Sequence, residues 1–284
     1  MTNKILVTGA TGNIGGALVQ ELTELGADFA VMSSKPGAAI SGVETRYGDF
    51  GNVASLIAAF AGIDTVFLLF PFVPNKVELA KNAATAAKAV GVKHIVCSSG
   101  AGADSASTFA LAKLDGEIDD VFTASGILTT FLRPIGFMQN YVTYQLEAIK
   151  DGTIYAADAG QAQSLIDTRD IAAVAANVLM NPGVHAGKAY TLTGGEALTG
   201  AQAAAMISAA IGKTVSHVSV PTEAAVATMN QWGMPPFIVN VLDSLNHIIS
   251  AGYASGVSPD VELILGRKPR TFSAFVADSA AVWK

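Results

Sequence analysis

The segment Gly9-Ala-Thr-Gly12-Asn-Ile-Gly15 lies directly between an apolar run, Ile5-Leu-Val-Thr8, and a stretch where Ile14, Leu18, Leu22 and Leu25 recur at helical spacing. A strand that turns on three spaced glycines into an amphipathic helix leaves few folds open. Gly9 can take the tight turn, Gly12 lets the backbone approach a ligand, and Gly15 lets helix and strand pack closely. The first N–H groups of the helix then point outward together with its positive dipole end, as a phosphate requires. An ordinary strand-to-helix turn is the bland alternative; three glycines in register favour a phosphate-binding turn formed by Gly9, Thr11, Gly12, Asn13, Ile14 and Gly15.

The rest of the first 135 residues fits that beginning. Strands are predicted at Lys4 to Thr8, Phe29 to Met32, Glu44 to Tyr47, Thr65 to Leu69, His94 to Ser98 and Thr129 to Arg133. Helices are predicted near Asn13 to Leu25, Asn52 to Ala61, Asn75 to Val90 and Ala110 to Ser125. Six strands alternating with helices read as an α/β, doubly wound parallel sheet. Beyond Arg133-Pro134 the pattern loosens into helices near Met138 to Lys150, Thr168 to Met180, Thr199 to Ile211, Glu223 to Trp232 and Phe237 to Ala251, with short strands at Tyr190 to Thr193 and His217 to Val220. Residues 1–135 are therefore expected to form the nucleotide-binding core and residues 136–284 a smaller α/β lobe grown from the end of the sheet.

Composition removes several function classes. The longest strongly apolar run, Val66 to Val73, is broken by Pro71, far short of the roughly 18 residues a bilayer span needs. Cys97 is the only cysteine, so no internal disulfide or cysteine-based zinc site can form, and a reducing cytoplasm is expected. A net charge of −6, with no basic cluster larger than Arg267-Lys268-Pro-Arg270, argues against nucleic acid as a direct partner. The four histidines are scattered and no metal motif appears, so no metal is expected. Gly-x-Ser-x-Gly is absent, which argues against an α/β-hydrolase.

The Gly-x-x-Gly-x-x-Gly spacing resembles that of the extended and atypical short-chain dehydrogenases. Gly48-Asp49-Phe50, Phe70-Pro71, Val96-Cys-Ser98-Ser99-Gly, and Thr130-Phe-Leu-Arg133-Pro134-Ile-Gly-Phe137-Met-Gln-Asn140 extend the likeness. So do Asp167-Thr-Arg-Asp170-Ile-Ala, Tyr190-Thr-Leu-Thr-Gly and Gly266-Arg-Lys-Pro-Arg-Thr-Phe-Ser-Ala-Phe275. In this order, and over almost the whole chain, the motifs resemble the NmrA-like group, which holds quinone and triphenylmethane-dye reductases as well as NADP-sensing regulators. The resemblance implies a Rossmann-type fold and a nicotinamide dinucleotide. It also implies that Asp49 and Phe50 lie beside the adenine, that Phe70 and Pro71 line the path toward the nicotinamide, and that Leu69, Ser98 and Pro134 belong to the cofactor site. From the residues alone, Phe70 and Phe72 could equally be core.

An NAD-specific site places a carboxylate at the end of the second strand to hold the ribose 2′-hydroxyl. Val31-Met-Ser-Ser-Lys35 has none. Ser33, Ser34 and Lys35 are donors suited to a 2′-phosphate, so NADP(H) is expected over NAD(H); a solvated loop lysine, a common outcome, is the other reading of Lys35.

Short-chain dehydrogenases usually carry Tyr-x-x-x-Lys, the lysine lowering the tyrosine pKa for proton transfer. Here Phe109 stands four residues before Lys113, and a phenyl ring donates no proton. Lys113 is the best catalytic candidate, holding the nicotinamide ribose or polarising a substrate oxygen; an exposed lysine paired with Glu117 at i+4 is the other reading. Phe137, Asn140 and Tyr141 follow the sixth strand, where open α/β sheets place their ligand crevice. With Phe72 and Trp232 they are the candidate substrate contacts, packing of the lobe being the alternative for each.

The function expected is an NAD(P)H-dependent reductase that transfers hydride, without flavin or metal, to a small aromatic, quinone-like or conjugated substrate. A dinucleotide-binding redox sensor without turnover is the competing class, and the missing tyrosine suits both. An epimerase or dehydratase with tightly held NAD is disfavoured because it needs that tyrosine. The expected partners are a small-molecule substrate and a second copy of the chain in a homodimer, with neither nucleic acid nor membrane.

Overall fold

Short apolar runs and helical stripes alternate from the N-terminus onward, and the computed structural model, which describes residues 3–40 and 42–284, converts them into strands and helices in that order. The first part contains β1 (Ile5–Val7), α1 (Asn13–Glu24), β2 (Phe29–Ser33), β3 (Glu44–Tyr47), α2 (Val53–Phe60) and β4 (Thr65–Leu68). It continues with α3 (Lys76–Val90), β5 (His94–Ser98), α4 (Ala110–Ser125) and β6 (Leu128–Pro134). Then come α5 (Leu146–Asp151), β7 (Thr153–Ala156), β8 (Ala162–Gln163), α6 (Thr168–Met180), α7 (Pro182–His185) and β9 (Ala189–Leu192). The chain closes with β10 (Leu198–Thr199), α8 (Gly200–Ile211), β11 (Ser216–Ser219), α9 (Thr222–Gln231), α10 (Pro236–Ser250), α11 (Asp260–Leu265) and α12 (Phe272–Ser279).

Two compact units emerge. One comprises Met1–Ser107, Ala112–Pro134 and Ile171–Thr191; the other comprises Thr108–Leu111, Ile135–Asp170 and Leu192–Lys284. The principal sheet has seven strands in the order β3-β2-β1-β4-β5-β6-β9, not the six expected. The added strand β9 includes Tyr190, which sequence reading placed in the lobe. It runs beside β6 in the same sense, with Phe131 N–H donating to Lys188 O at 2.9 Å and Ile135 N–H donating to Leu192 O at 3.1 Å. Strand pairing between distant segments decides such membership, and periodicity does not report it. The order reverses direction between β1 and β4, the switch point where parallel sheets of this kind open a crevice.

Leu6, Ala30, Leu56, Phe60, Val66, Leu68, Ile95, Ile118 and Phe122 join in one buried core of the first unit. On α1, Ile14, Leu18 and Leu22 are buried as expected, whereas Leu25 is 56% exposed. The helix ends at Glu24, with Leu25 as its C-cap, and the backbone turns left-handed at Gly26, φ +63°.

The second unit has its own core of Met138, Ile149, Ile154, Ile207, Val215, Phe272, Phe275, Val276 and Trp283. The continuous helix expected over Met138 to Lys150 is instead a 3-10 turn, Met138–Val142, followed by α5. The Trp283 indole N–H donates to Tyr141 O at 2.8 Å, and Thr143 leaves helical geometry at φ −121°, ψ −88°. Both features stop the ladder from continuing. Among the described residues no helix is long and apolar enough to cross a membrane.

Candidate functional site

The glycine turn is built as its spacing demands. Gly9 is left-handed at φ +68°, and a Cβ on Gly15 would sit 2.1 Å from Gly9 O, so only glycine fits there. A Cβ on Gly12 would meet nothing nearer than Gly9 O at 3.5 Å, which leaves open space over that residue. Gly12 is the N-cap of α1 in extended geometry; no side chain caps it and no acidic residue occupies the first turn. The amides of Asn13, Ile14 and Gly15 precede the first helical bond, Gly16 N–H to Gly12 O at 2.8 Å. Thr11 and Asn13 are exposed, while Ile14 anchors the turn in the core. Bare amides, a helix dipole and an open cradle together suit a pyrophosphate.

The ends of the neighbouring strands crowd around this turn. Leu69 N–H donates to Thr8 Oγ1 at 2.9 Å, and Leu69 Cδ2 stands 3.1 Å from where a Gly9 Cβ would be, so β1 and β4 deliver Gly9 and Leu69 together. At the end of β2, Ser33 Oγ accepts from Lys35 N–H at 3.1 Å, while Ser34 and Lys35 are exposed. No carboxylate belongs to that segment. Gly48 N–H donates to Ser33 O at 3.0 Å, which ties the second loop to the third. Asp49 is exposed and its Oδ1 accepts from Gly51 N–H at 2.8 Å. The Phe50 and Phe70 rings lie 4.7 Å apart, and Phe70 stacks on Phe122 at 6.1 Å. Phe70 is therefore a core side chain whose backbone lies at the end of β4; Pro71 and Phe72 beyond it are exposed.

Ser98 closes β5 and is buried, followed by Ser99 N–H donating to Leu132 O at 2.9 Å. Pro134 closes β6 and its carbonyl accepts from Ala101 N–H at 3.0 Å. Lys113 lies on α4 with an exposed side chain, its ammonium 4.0 Å from Glu117.

Sequence reading missed the charged groups beneath these strand ends. Lys76 Nζ donates to Asp115 Oδ1 at 2.8 Å, both groups being almost fully buried. One turn along α4, Asp119 Oδ2 accepts from Arg133 Nε at 3.0 Å and Nη2 at 2.7 Å. Burial pushes the Asp119 carboxyl up to about 6 against the pull of Arg133. A signal existed: Asp115 and Asp119 fall on the same helical stripe as Ala112, Ile118 and Phe122, which are buried. Burial likewise raises the Cys97 thiol, which makes it a poor nucleophile.

In the second unit, Phe137 bridges to Ile166 and caps the 3-10 turn, and Asn140 N–H donates to Phe137 O at 3.1 Å. Tyr141 meets Phe272 edge-on at 5.2 Å, and burial pushes its phenol up to about 12. It lines a void of about 10 Å³ with Met138, Gln163, Leu165 and Phe272, room for one water. Trp232 follows α9 and is 72% exposed. Phe109 meets Tyr253 edge-on at 6.0 Å. Two sequence motifs distant along the chain prove to be partners here. Asp170 accepts from Arg270 N–H at 2.6 Å and pairs with the guanidinium groups of Arg267, at 2.9 Å, and Arg270. Asp167 is held by Arg169 at 2.6 Å and by Gln139 at 2.8 Å. No group of three or more His, Cys, Asp or Glu side chains among the described residues could hold a metal.

Known proteins share this architecture. An NAD(P)H azoreductase from Xenophilus azovorans is 38% identical over 283 residues, 98% of this chain and 99% of that protein. An NADPH-dependent quinone oxidoreductase from Escherichia coli, solved with NADPH, is 28% identical with a TM-score of 0.86, covering 96% of this chain and 99% of that one. The triphenylmethane reductase of Citrobacter sp., solved with NADP(H), is 28% identical with a TM-score of 0.84, covering 98% and 99%. The NmrA-like family model matches residues 1–275, and with the glycine cradle at the head of a seven-stranded parallel sheet, the chain belongs to the NmrA-like family.

Proposed function

We propose that this protein, an NAD(P)H-dependent oxidoreductase of the NmrA-like family, reduces a small electron-poor conjugated molecule of the quinone, azo or enone type. The cradle over Gly12 carries the reading: an uncapped helix N-terminus with unobstructed space above a glycine is built for a dinucleotide pyrophosphate. The first 135 residues are assigned to the cofactor and residues 136–284 to the substrate lobe. Ser33, Ser34 and Lys35 support NADP(H) over NAD(H), since donors and a cation stand where a carboxylate would repel a 2′-phosphate. The single buried cysteine supports a cytoplasmic location, and a homodimer is the assembly proposed.

When bound, the reduced nicotinamide supplies the hydride. The chain's own residues would orient it: Gly12 and the α1 amides would hold the phosphates, Ser98 and Pro134 would contact the cofactor, and Lys113 would steady the ribose or a substrate oxygen. Phe109 offers no proton, so the proton that completes reduction comes from water. Acceptors that tolerate hydride addition before protonation are accordingly preferred. Relatives that bear azoreductase and quinone oxidoreductase names support the same substrate class.

The test uses NADPH deuterated at the transferable position against a panel of quinones, azo dyes and enones. Deuterium in the carbon skeleton of a reduced enone, or a primary isotope effect with quinones, is the expected result. Tight, redox-selective cofactor binding with no turnover of any acceptor would overturn it and leave a sensor.

A further inference from the structure

Lys76 stands in a place that disfavours a cation twice over. It is the first residue of α3, at the positive end of the helix dipole, and it is 4% exposed. Its ammonium is held by Asp115 at 2.8 Å. Such a buried pair contributes little net stability, because apolar residues of similar volume do as well. Its geometry instead leads outward. Lys76 Nζ lies 4.8 Å from the centroid of the Phe72 ring, and Phe72, on the segment leaving the C-terminal end of β4, remains 49% exposed. On the other side, a Cβ at Gly100 would lie 2.3 Å from Asp115 Oδ2, so the carboxylate is wedged against the turn that follows β5.

We propose that Lys76, locked by Asp115, is a positioning residue that holds the Phe72 ring as a stacking platform for a planar, conjugated acceptor. The proposal rests on the reductase reading above and specifies which acceptors that site prefers. A cation over one face fixes a phenyl ring through its quadrupole, while the exposed part of the ring stays available to a flat π-system. A ring already held loses little rotamer freedom when a ligand stacks on it, which converts contact into affinity. An aliphatic acceptor gains much less from the same surface.

The experiment compares 1,4-naphthoquinone with 2-cyclohexenone in the wild type, in Phe72→Leu, in the charge-free pair Lys76→Met/Asp115→Leu, and in the triple variant. Removing both charges avoids stranding one of them in the core. For each protein, kcat and KM are measured with NADPH, and naphthoquinone binding to the NADP+ complex is titrated by calorimetry. Phe72→Leu and the charge-free pair should each raise KM and Kd for naphthoquinone about threefold to tenfold, well beyond their effect on cyclohexenone KM and with kcat changed less than KM. The triple variant should add nothing further, since the lysine acts through the ring. Additive losses, equal losses for both acceptors, or a charge-free pair that behaves like the wild type would overturn the proposal. A wild type that binds naphthoquinone, with the same variant pattern in Kd, but reduces neither compound would support the platform and overturn the reductase reading.

Discussion

A Cβ on Gly15 would lie 2.1 Å from the carbonyl oxygen of Gly9, whereas a Cβ on Gly12 meets that same oxygen at an ordinary 3.5 Å. The two helix glycines of the motif therefore serve different ends: Gly15 permits α1 to approach β1, and Gly12 keeps space clear for a ligand.

Gly15→Ala should destabilise the fold by about 1–3 kcal/mol, because backbone must shift to admit the methyl group. Gly12→Val should change stability by less than about 1 kcal/mol, since its extended φ of −89° and ψ of 176° suit a branched residue. It should nonetheless weaken cofactor binding by tenfold or more, on the order of 1.4 kcal/mol. Thermal unfolding and a cofactor fluorescence titration on both variants check this; native affinity in Gly12→Val would place the phosphates elsewhere.

NADPH should bind more tightly than NADH. Lys35→Ala should narrow the ratio by about tenfold, the scale of one charge-assisted hydrogen bond. Direct titration of both reduced cofactors decides it, and NADH binding equally well in the wild type would remove the role assigned to Ser33, Ser34 and Lys35.

Lys113→Ala should lower kcat by about 10- to 100-fold through loss of orientation. Stability should move by less than about 0.5 kcal/mol, because the exposed Lys113–Glu117 pair is separated by 4.0 Å. Phe109→Ala should act mainly by lost packing against Tyr253, costing roughly 1–3 kcal/mol. Steady-state kinetics paired with thermal unfolding separates the two; an unchanged kcat in Lys113→Ala would reduce that residue to a surface ion pair.

His94 supplies a pH signature. Burial, with His185 adding to it, lowers its pKa to about 4; Nε2 shares a hydrogen bond with Thr130 Oγ1 at 2.9 Å and Nδ1 is buried without a partner. Between pH 6.5 and 4 the unfolded chain binds a proton that the folded chain does not. Stability should therefore be fully present above about 6.5 and decline as pH falls toward 4, by up to about 3 kcal/mol from this group. Urea unfolding across that window should give a shallower decline in His94→Gln than in the wild type. Parallel profiles would show that another group dominates.

Sequence alone reached six strands of the sheet and the cradle because these are written in contiguous segments. The glycine turn occupies seven adjacent residues whose spacing already implies its geometry, and the edges of β3, β5 and α4 coincide with their expected ranges because apolar periodicity is local. The ion pairs between distant segments were not legible. Lys76 and Asp115 are 39 positions apart, and Asp170 and Arg270 are 100 apart. Nothing in either neighbourhood names the other, since such pairs arise only once helix rotation and strand order bring them together. Tertiary structure also made Phe70 core and left Phe72 exposed, although both lie in the same apolar run, and it recruited β9 to the sheet. Local spacing determines which elements form; the desolvation of each side chain, and hence its role, depends on which other elements pack around it.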